Sequence, residues 1–209
     1  MAKTLVIGAT GKVGQILVPQ MAAANIPLVA LVRHKSKAAF PKEAEVIEGD
    51  LEGGIGWAMA GCDRVVFTAG SGGATGYDKT LLVDLWGACK AIDAAREMGI
   101  AHFIMVSSRG AGDPERGPAA IKPYLVAKHF ADDYLMRSGL NYTILRPGRL
   151  TDEAGTGLIK TARPGDPDAQ FISREDTASV VVHCLKQPTV LGKVFELYEG
   201  TLPIERAIC

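Results

Sequence analysis

A short apolar run, Thr4-Leu5-Val6-Ile7, breaks on a glycine and passes within a few residues into a helical pattern. This join limits the possible folds more than any other feature of the chain. Gly8-Ala9-Thr10-Gly11-Lys12-Val13-Gly14 places glycines at three-residue intervals across it. Such a turn lets the backbone approach a pyrophosphate, and the helix N-terminus behind it offers unpaired N–H groups to the negative charge. The spacing alone is weak evidence, because a chain this rich in glycine produces it by chance about 0.3 times. A second copy stands at Gly70, Gly73 and Gly76. Position separates the two. The first lies on the opening strand and begins a βαβ unit, the setting in which the spacing is meaningful. The second is set off from the next helix by Tyr77 and Asp78 and reads as a flexible loop.

The same alternation of apolar run, turn and amphipathic segment continues along the chain. Helical spacing runs from about Lys12 to Ala24, with Val13, Ile16, Leu17 and Met21 on one face. Further strands are expected at 27–32, 45–48, 64–68, 102–106 and 141–145, one near Phe171 and a last one at 194–198. A short helix passes through Trp57 and Met59. The longest helix is expected from about Asp78 to Met98, ended by Gly99. Others run from about Ile121 to Arg137 and from Arg174 to Lys186. Residues 147–169 are rich in Gly, Pro, Asp and Thr and carry little periodicity; the loop after Ser108 and residues 148–169 read as candidates for a mobile lid over the substrate. Strands alternating with helices imply parallel βαβ units. The expected fold is therefore an α/β, doubly wound parallel sheet of the Rossmann type, in a single domain over residues 1–209.

Composition narrows the partners. Lysine plus arginine and aspartate plus glutamate each number 23, so the formal net charge is zero. There is no field to hold a polyanion, which argues against nucleic acid. No apolar stretch approaches the ~20 residues that span a bilayer, so no membrane partner is expected. Cys62, Cys89, Cys184 and Cys209 lie far apart and read as thiols of a reducing compartment, in a soluble cytoplasmic protein. His34, His102, His129 and His183 lack metal-ligand spacing, so no metal is expected. No Gly-x-Ser-x-Gly nucleophile turn is present. Met98, Met105 and Met136 read as core filler. Nothing in the pattern sets an oligomeric state.

The residues after the second strand refine the ligand. Selection of NAD usually places an acid there, to accept from the ribose 2′-hydroxyl. This chain has Arg33-His34-Lys35 and no acid nearby. A carboxylate would repel a 2′-phosphate, whereas a guanidinium grips it bidentately. NADP(H) is therefore the expected cofactor.

These residues, with those that follow, resemble the short-chain dehydrogenase/reductase superfamily. Within it the chain looks like the atypical, NAD(P)-binding branch of short chains that includes biliverdin/flavin reductase-like and NmrA-like proteins. The matching pieces are the opening Gly-Ala-Thr-Gly-Lys-Val-Gly, Gly49-Asp50-Leu51, Thr68-Ala69-Gly70, Ser107-Ser108, Tyr124-x-x-x-Lys128 and Arg146-Pro147-Gly148. They cover nearly the whole chain in the family's order. The resemblance implies that Asp50 and Leu51 flank the adenine, and that Ala69, Gly70 and Ser71 lie along the ribose nearest the nicotinamide. Pro147 and Gly148 would sit near the carboxamide. Tyr124 would be the general acid that protonates a carbonyl oxygen. Lys128 would bond the nicotinamide ribose and lower the tyrosine pKa, with Ser107 or Ser108 orienting a small-molecule substrate.

The chemistry of that group is sensible in itself. Residues i and i+4 share a helix face, so Tyr124 and Lys128 can act on one ligand, and an ammonium stabilises a phenolate. Serines at the carboxyl end of a central parallel strand lie where such sheets hold ligands. Two departures stand out. Asp84 occupies the best place for the asparagine that supports a proton relay in many active members. The chain also lacks the long C-terminal extension with which sugar-nucleotide epimerases build a substrate lobe, which argues against that activity. Arg109 and Arg149 follow strands near the expected active edge, and read more readily as solvated arginines than as receivers of an anionic substrate. The expected function is an NADPH-dependent oxidoreductase reducing a small carbonyl, quinone or flavin. The alternative is a regulatory protein that senses NADP(H) without turnover.

Overall fold

Every position of Thr4-Leu5-Val6-Ile7 is buried, and so is every position of Leu28–Val32 and His102–Val106. Strands buried throughout belong in the middle of a sheet covered on both faces. The computed structural model describes residues 3–73 and 75–209. Its strands are β1 Thr4–Ile7, β2 Leu28–Val32, β3 Ala44–Glu48, β4 Arg64–Phe67, β5 His102–Val106 and β6 Tyr142–Pro147. They continue as β7 Arg149–Thr151, β8 Leu158–Lys160, β9 Phe171–Ser173, β10 Lys193–Glu199 and β11 Leu202–Pro203. The main sheet has the order β11-β8-β10-β6-β5-β4-β1-β2-β3. All its pairs from β3 to β10 are parallel, while β8 and β11 add an antiparallel edge.

Alternate residues of each strand feed opposite faces. Val6, Ala30, Val66, Ile104 and Leu145 meet helices α1 (Gly14–Ala23) and α5 (Arg174–Cys184) on one side. Leu5, Ile7, Phe67, Phe103, Met105 and Ile144 meet α3 (Ala88–Glu97) and α4 (Lys122–Arg137) on the other. Each fully buried aliphatic or aromatic side chain of this kind contributes about 1.5–3 kcal/mol relative to exposure. The doubly wound α/β arrangement is thus as expected, with two layers of helix on one sheet.

Three local expectations are corrected. The long helix is not continuous: Tyr77–Lys79 (α2) passes into a π-helical stretch, Thr80–Gly87, before α3 begins. That stretch turns Thr80, Asp84 and Gly87 inward, and the Asp84 carboxylate accepts the Ser71 N–H at 2.9 Å. A π-helical turn that carries polar side chains inward is a recurrent feature of functional sites. Residues 147–169, which show little periodicity in sequence, nevertheless hold β7 and β8. Their partners lie on β9, β10 and β11, and three-residue strands leave too little pattern to read. Of the three methionines, only Met105 is core, whereas Met98 and Met136 are exposed. The four cysteines are free. No helix among the described residues is long and apolar enough to cross a membrane. The chain ends in the short helix α6, Ile204–Ala207.

The foot of β5 carries a pH-sensitive group. Thr143 Oγ1 donates to the Val190 carbonyl at 2.9 Å, so it accepts from His102 Nε2–H, also at 2.9 Å. Burial, with Arg64 nearby, lowers the His102 pKa to about 4. The unfolded chain therefore takes up this proton first as pH falls, and stability drains away between about pH 6.5 and pH 4. The loss should reach roughly 3 kcal/mol. Urea midpoints measured across that range should fall more steeply for the natural protein than for His102→Gln; parallel curves would reject the assignment.

Candidate functional site

The carboxyl ends of β1, β4, β5 and β6 gather most of the residues singled out in the sequence. Gly8 follows β1 at φ +89°, and a Cβ built on it would lie 2.5 Å from the Ala69 amide nitrogen. A Cβ on Gly14 would fall 2.3 Å from the Gly8 carbonyl oxygen. Both are backbone collisions, so the turn accepts only glycine at these positions. Thr68 knits the two strand ends together, its hydroxyl donating to the Ile7 and Gly8 carbonyls at 3.2 Å each. Thr10 is half-buried, Gly11 and Lys12 are exposed, and Val13 is buried. Helix α1 has no side-chain cap and no acid in its first turn, which leaves its positive end available to an anion. The cradle thus fits a pyrophosphate. The second glycine copy differs in kind. Helix α2 begins immediately after Gly76, contrary to the expected gap, yet nothing lies within 4 Å of a Cβ on Gly73. A Cβ on Gly70 or Gly76 would meet only a carboxylate oxygen, of Asp84 at 3.1 Å or Asp78 at 2.6 Å, so collision with backbone is what distinguishes the first copy.

Lys12 extends from the turn to Asp152, 3.3 Å away, whose other oxygen takes Arg174 at 2.6 Å. Asp50 and Leu51 follow β3, and the Asp50 carboxylate accepts the Glu52 N–H at 2.9 Å. Arg33, His34 and Lys35 are all exposed after β2. The fold also brings an acid to them that their immediate sequence lacks. Glu48 stands opposite Val32 in the β2–β3 register, and its carboxylate accepts the Lys35 N–H at 3.0 Å. Pro147 and Gly148 are buried, with the Pro147 carbonyl taking the Arg109 N–H and the Gly148 N–H donating to Leu197.

Helix α4 brings Tyr124 and Lys128 to this edge on one face. Tyr124 is half-buried. Burial pushes its phenol above the ordinary value, Asp84 and Asp132 push further, and the Ser108 hydroxyl partly offsets them. Lys128, expected to lower it, lies one turn further along the same face of α4. Lys128 is 1% exposed, donates to the Val106 carbonyl at 3.1 Å, and lies 5.9 Å from the Phe67 ring centroid. Burial lowers its pKa, opposed by Asp84 and then Asp132. Ser108 is the serine that faces Tyr124, whereas the Ser107 hydroxyl is buried on the side of Asp132.

Two residues outside the sequence reading of the site belong to this interior. Asp132 is wholly buried and receives Arg146 Nε at 2.9 Å. Their signals were present: Asp132 is one helical turn beyond Lys128, and Arg146 is a charge inside an apolar strand. Arg109 is also corrected. It is half-buried and donates to the Gln170 carbonyl at 2.6 Å, while Arg149 stays exposed, 5.9 Å from the Phe171 ring centroid.

A β3-β2-β1-β4-β5-β6 sheet whose first turn has no room for a side chain at Gly8 or Gly14, yet is open to an anion, defines a Rossmann-like dinucleotide-binding protein. The chain belongs to the NAD(P)H-binding family, whose model matches residues 8–188. It is similar to the uncharacterized sugar epimerase YhfK of Bacillus subtilis (strain 168), with 47% identity over 99% of this chain and 98% of that protein. Among solved structures it is similar to a Bacillus halodurans protein provisionally named an NAD-dependent epimerase/dehydratase, at 41% identity and a TM-score of 0.93, covering 100% of this chain and 99% of the other. ChuY, an anaerobillin reductase from Escherichia coli O157:H7, aligns at 28% identity and a TM-score of 0.79, over 95% of this chain and 97% of ChuY.

Proposed function

We propose that the chain acts as one NADPH-dependent reductase unit for a small carbonyl, quinone or flavin acceptor. The observation that carries this reading is the Tyr124 phenol facing Ser108 at the carboxyl edge, on the same edge as the glycine turn. A reduced nicotinamide, when bound, supplies hydride. The chain's own residues do the rest. Gly8, Gly11 and Gly14 let the pyrophosphate approach the α1 N-terminus, with Thr10, Lys12 and Val13 completing the turn. Asp50 and Leu51 flank the adenine, Ala69, Gly70 and Ser71 follow the ribose, and Pro147 and Gly148 border the carboxamide. Ser108 orients the acceptor, and Tyr124 donates its proton to the acceptor oxygen. A phenol held above its ordinary pKa remains protonated at neutral pH, the form a general acid requires. Ser107 and Lys128 support these groups from below.

The reductase name of ChuY supports the class of reaction, whereas the Bacillus relatives carry epimerase names. NADPH oxidation measured over carbonyls, quinones and flavins should find a turned-over acceptor. Interconversion of a sugar nucleotide with no net cofactor oxidation would overturn the reading in favour of an epimerase. A second reading, NADP(H) sensing without turnover, is favoured by the engagement of Lys128 with Val106 rather than with Tyr124. Tight cofactor binding with no turnover across the panel would support it.

Preference for NADP(H) rests on the exposed Arg33-His34-Lys35 cluster, whose arginine and lysine outnumber the Glu48 carboxylate that accepts the Lys35 N–H. Calorimetry should give tighter binding of NADPH than of NADH, and Arg33→Ala should weaken NADPH alone by about ten- to a hundredfold. Equal affinities in the natural protein would reject the preference.

A further inference from the structure

The segment that continues β4 is held at both ends. At its start the Thr68 hydroxyl donates to the Ile7 and Gly8 carbonyls at 3.2 Å each, and Ala69 packs so closely on Gly8 that no Cβ fits between them. At its end Ser71 is tied by three of its own polar groups. Its N–H donates to Asp84 Oδ2 at 2.9 Å, its hydroxyl stands 3.4 Å from Thr80 Oγ1, and its carbonyl accepts from the Thr75 hydroxyl at 3.1 Å. Gly70 lies between, exposed, with Asp84 Oδ1 only 3.1 Å from where its Cβ would stand. We propose that Asp84 is a positioning residue for the cofactor, fixing Gly70 and Ser71 against the ribose nearest the nicotinamide and so setting the nicotinamide half of the dinucleotide. The inference rests on the dinucleotide reading, in which residues 69–71 follow that ribose.

The π-helical stretch is what brings these groups together. It carries both Thr80 and Asp84, buried at 6% and 0% exposure, and aims them at Ser71 across the loop between β4 and α2. Packing does not call for a carboxylate there. A buried charge is costly unless it is answered, and an apolar side chain of similar volume would hold the core as well or better. The Asp84 charge is spent instead on one backbone N–H, a charge-assisted bond roughly twice as strong as a neutral one. Oδ1 has no hydrogen-bond partner among the described residues and faces Gly70. The carboxylate therefore bears on two residues of the loop, one of which is open to solvent on its other side. One segment thus joins the pyrophosphate cradle to the π-helical stretch. A shift at Asp84 would move the nicotinamide end of the site and leave the adenine end, after β2 and β3, in place.

Calorimetry on the free protein tests this with each dinucleotide and its adenosine half, NADPH with adenosine 2′,5′-bisphosphate and NADH with ADP. Asp84→Ala should weaken the dinucleotide about tenfold and leave affinity for the adenosine half unchanged. Asp84→Asn, whose amide oxygen can still accept the Ser71 N–H, should recover most of the loss. Equal weakening of dinucleotide and half would mark a merely structural aspartate, and unchanged dinucleotide affinity an idle one; either overturns the proposal. Should Asp84→Ala not fold, Gly70→Ala reaches the same contact from the surface. Its methyl would press on Asp84 Oδ1 and should weaken the dinucleotide selectively, so an unchanged ratio of the two affinities would overturn the proposal equally. Natural protein that binds neither dinucleotide would remove the dinucleotide reading, and the proposal with it. Selective weakening in a protein that reduces no acceptor would support the role of Asp84 while the reductase reading fails.

Discussion

Tyr124→Phe should lower turnover of carbonyl acceptors at least about a hundredfold and leave cofactor affinity unchanged, the usual scale for loss of a positioned general acid. The substitution removes one oxygen and keeps the ring, so the packing of α4 is preserved. A ketone or aldehyde must receive a proton as hydride arrives, and the proposed mechanism assigns that proton to the phenol. The direction of its pKa adds a second expectation. Burial and the Asp84 and Asp132 carboxylates hold the phenol above its ordinary value. The basic limb of carbonyl reduction, where the acid is lost, should accordingly lie above about pH 10. Flavin and quinone acceptors can take their proton from solvent, so the same variant should reduce them nearly as fast as the natural protein. Unchanged carbonyl turnover in Tyr124→Phe would remove the tyrosine from the mechanism.

Gly8→Ala should cost about 3 kcal/mol of stability and weaken cofactor binding about a hundredfold or more. Alanine at φ +89° is strained whatever the space around it. Its methyl would also meet the Ala69 backbone at 2.5 Å, with no flexible side chain to yield. The β1 and β4 ends would separate, and each charge-assisted hydrogen bond lost to the pyrophosphate removes about 1.5–3 kcal/mol of binding, a tenfold or larger factor. Gly73→Ala is the matched control from the other glycine copy. It has open space at Cβ, so denaturation midpoint and cofactor affinity should stay within the range of ordinary surface changes, about 0.5 kcal/mol. Equal behaviour of the two variants, in calorimetry and urea melts, would show that close approach is not what the first turn requires.

Much of the scaffold was legible because its signals are local. Val6 and Ile7 serve opposite faces of one sheet, and a strand that alternates between two apolar layers shows as an unbroken apolar run. The cluster at Arg33 and the Tyr124–Lys128 spacing were equally open to reading. Less legible were contacts between segments far apart in sequence. The acid beside the basic cluster is Glu48, supplied by strand register rather than by its neighbours. The strands within residues 147–169 exist because β9, β10 and β11 pair with them.

The sequence by itself determined the parallel sheet, the glycine turn on its first strand, and which side chains share the face of α4. These follow from the periods of strand and helix and from the freedom of glycine, all of which act over a few residues. Only the tertiary structure decided what those side chains face. It set Lys128 against the Val106 carbonyl, turned Asp84 inward on a π-helical turn, and set Arg146 against Asp132. Burial is the physical reason. A charge shut away from water must find its counter-charge wherever the fold supplies one, and no local spacing records that choice.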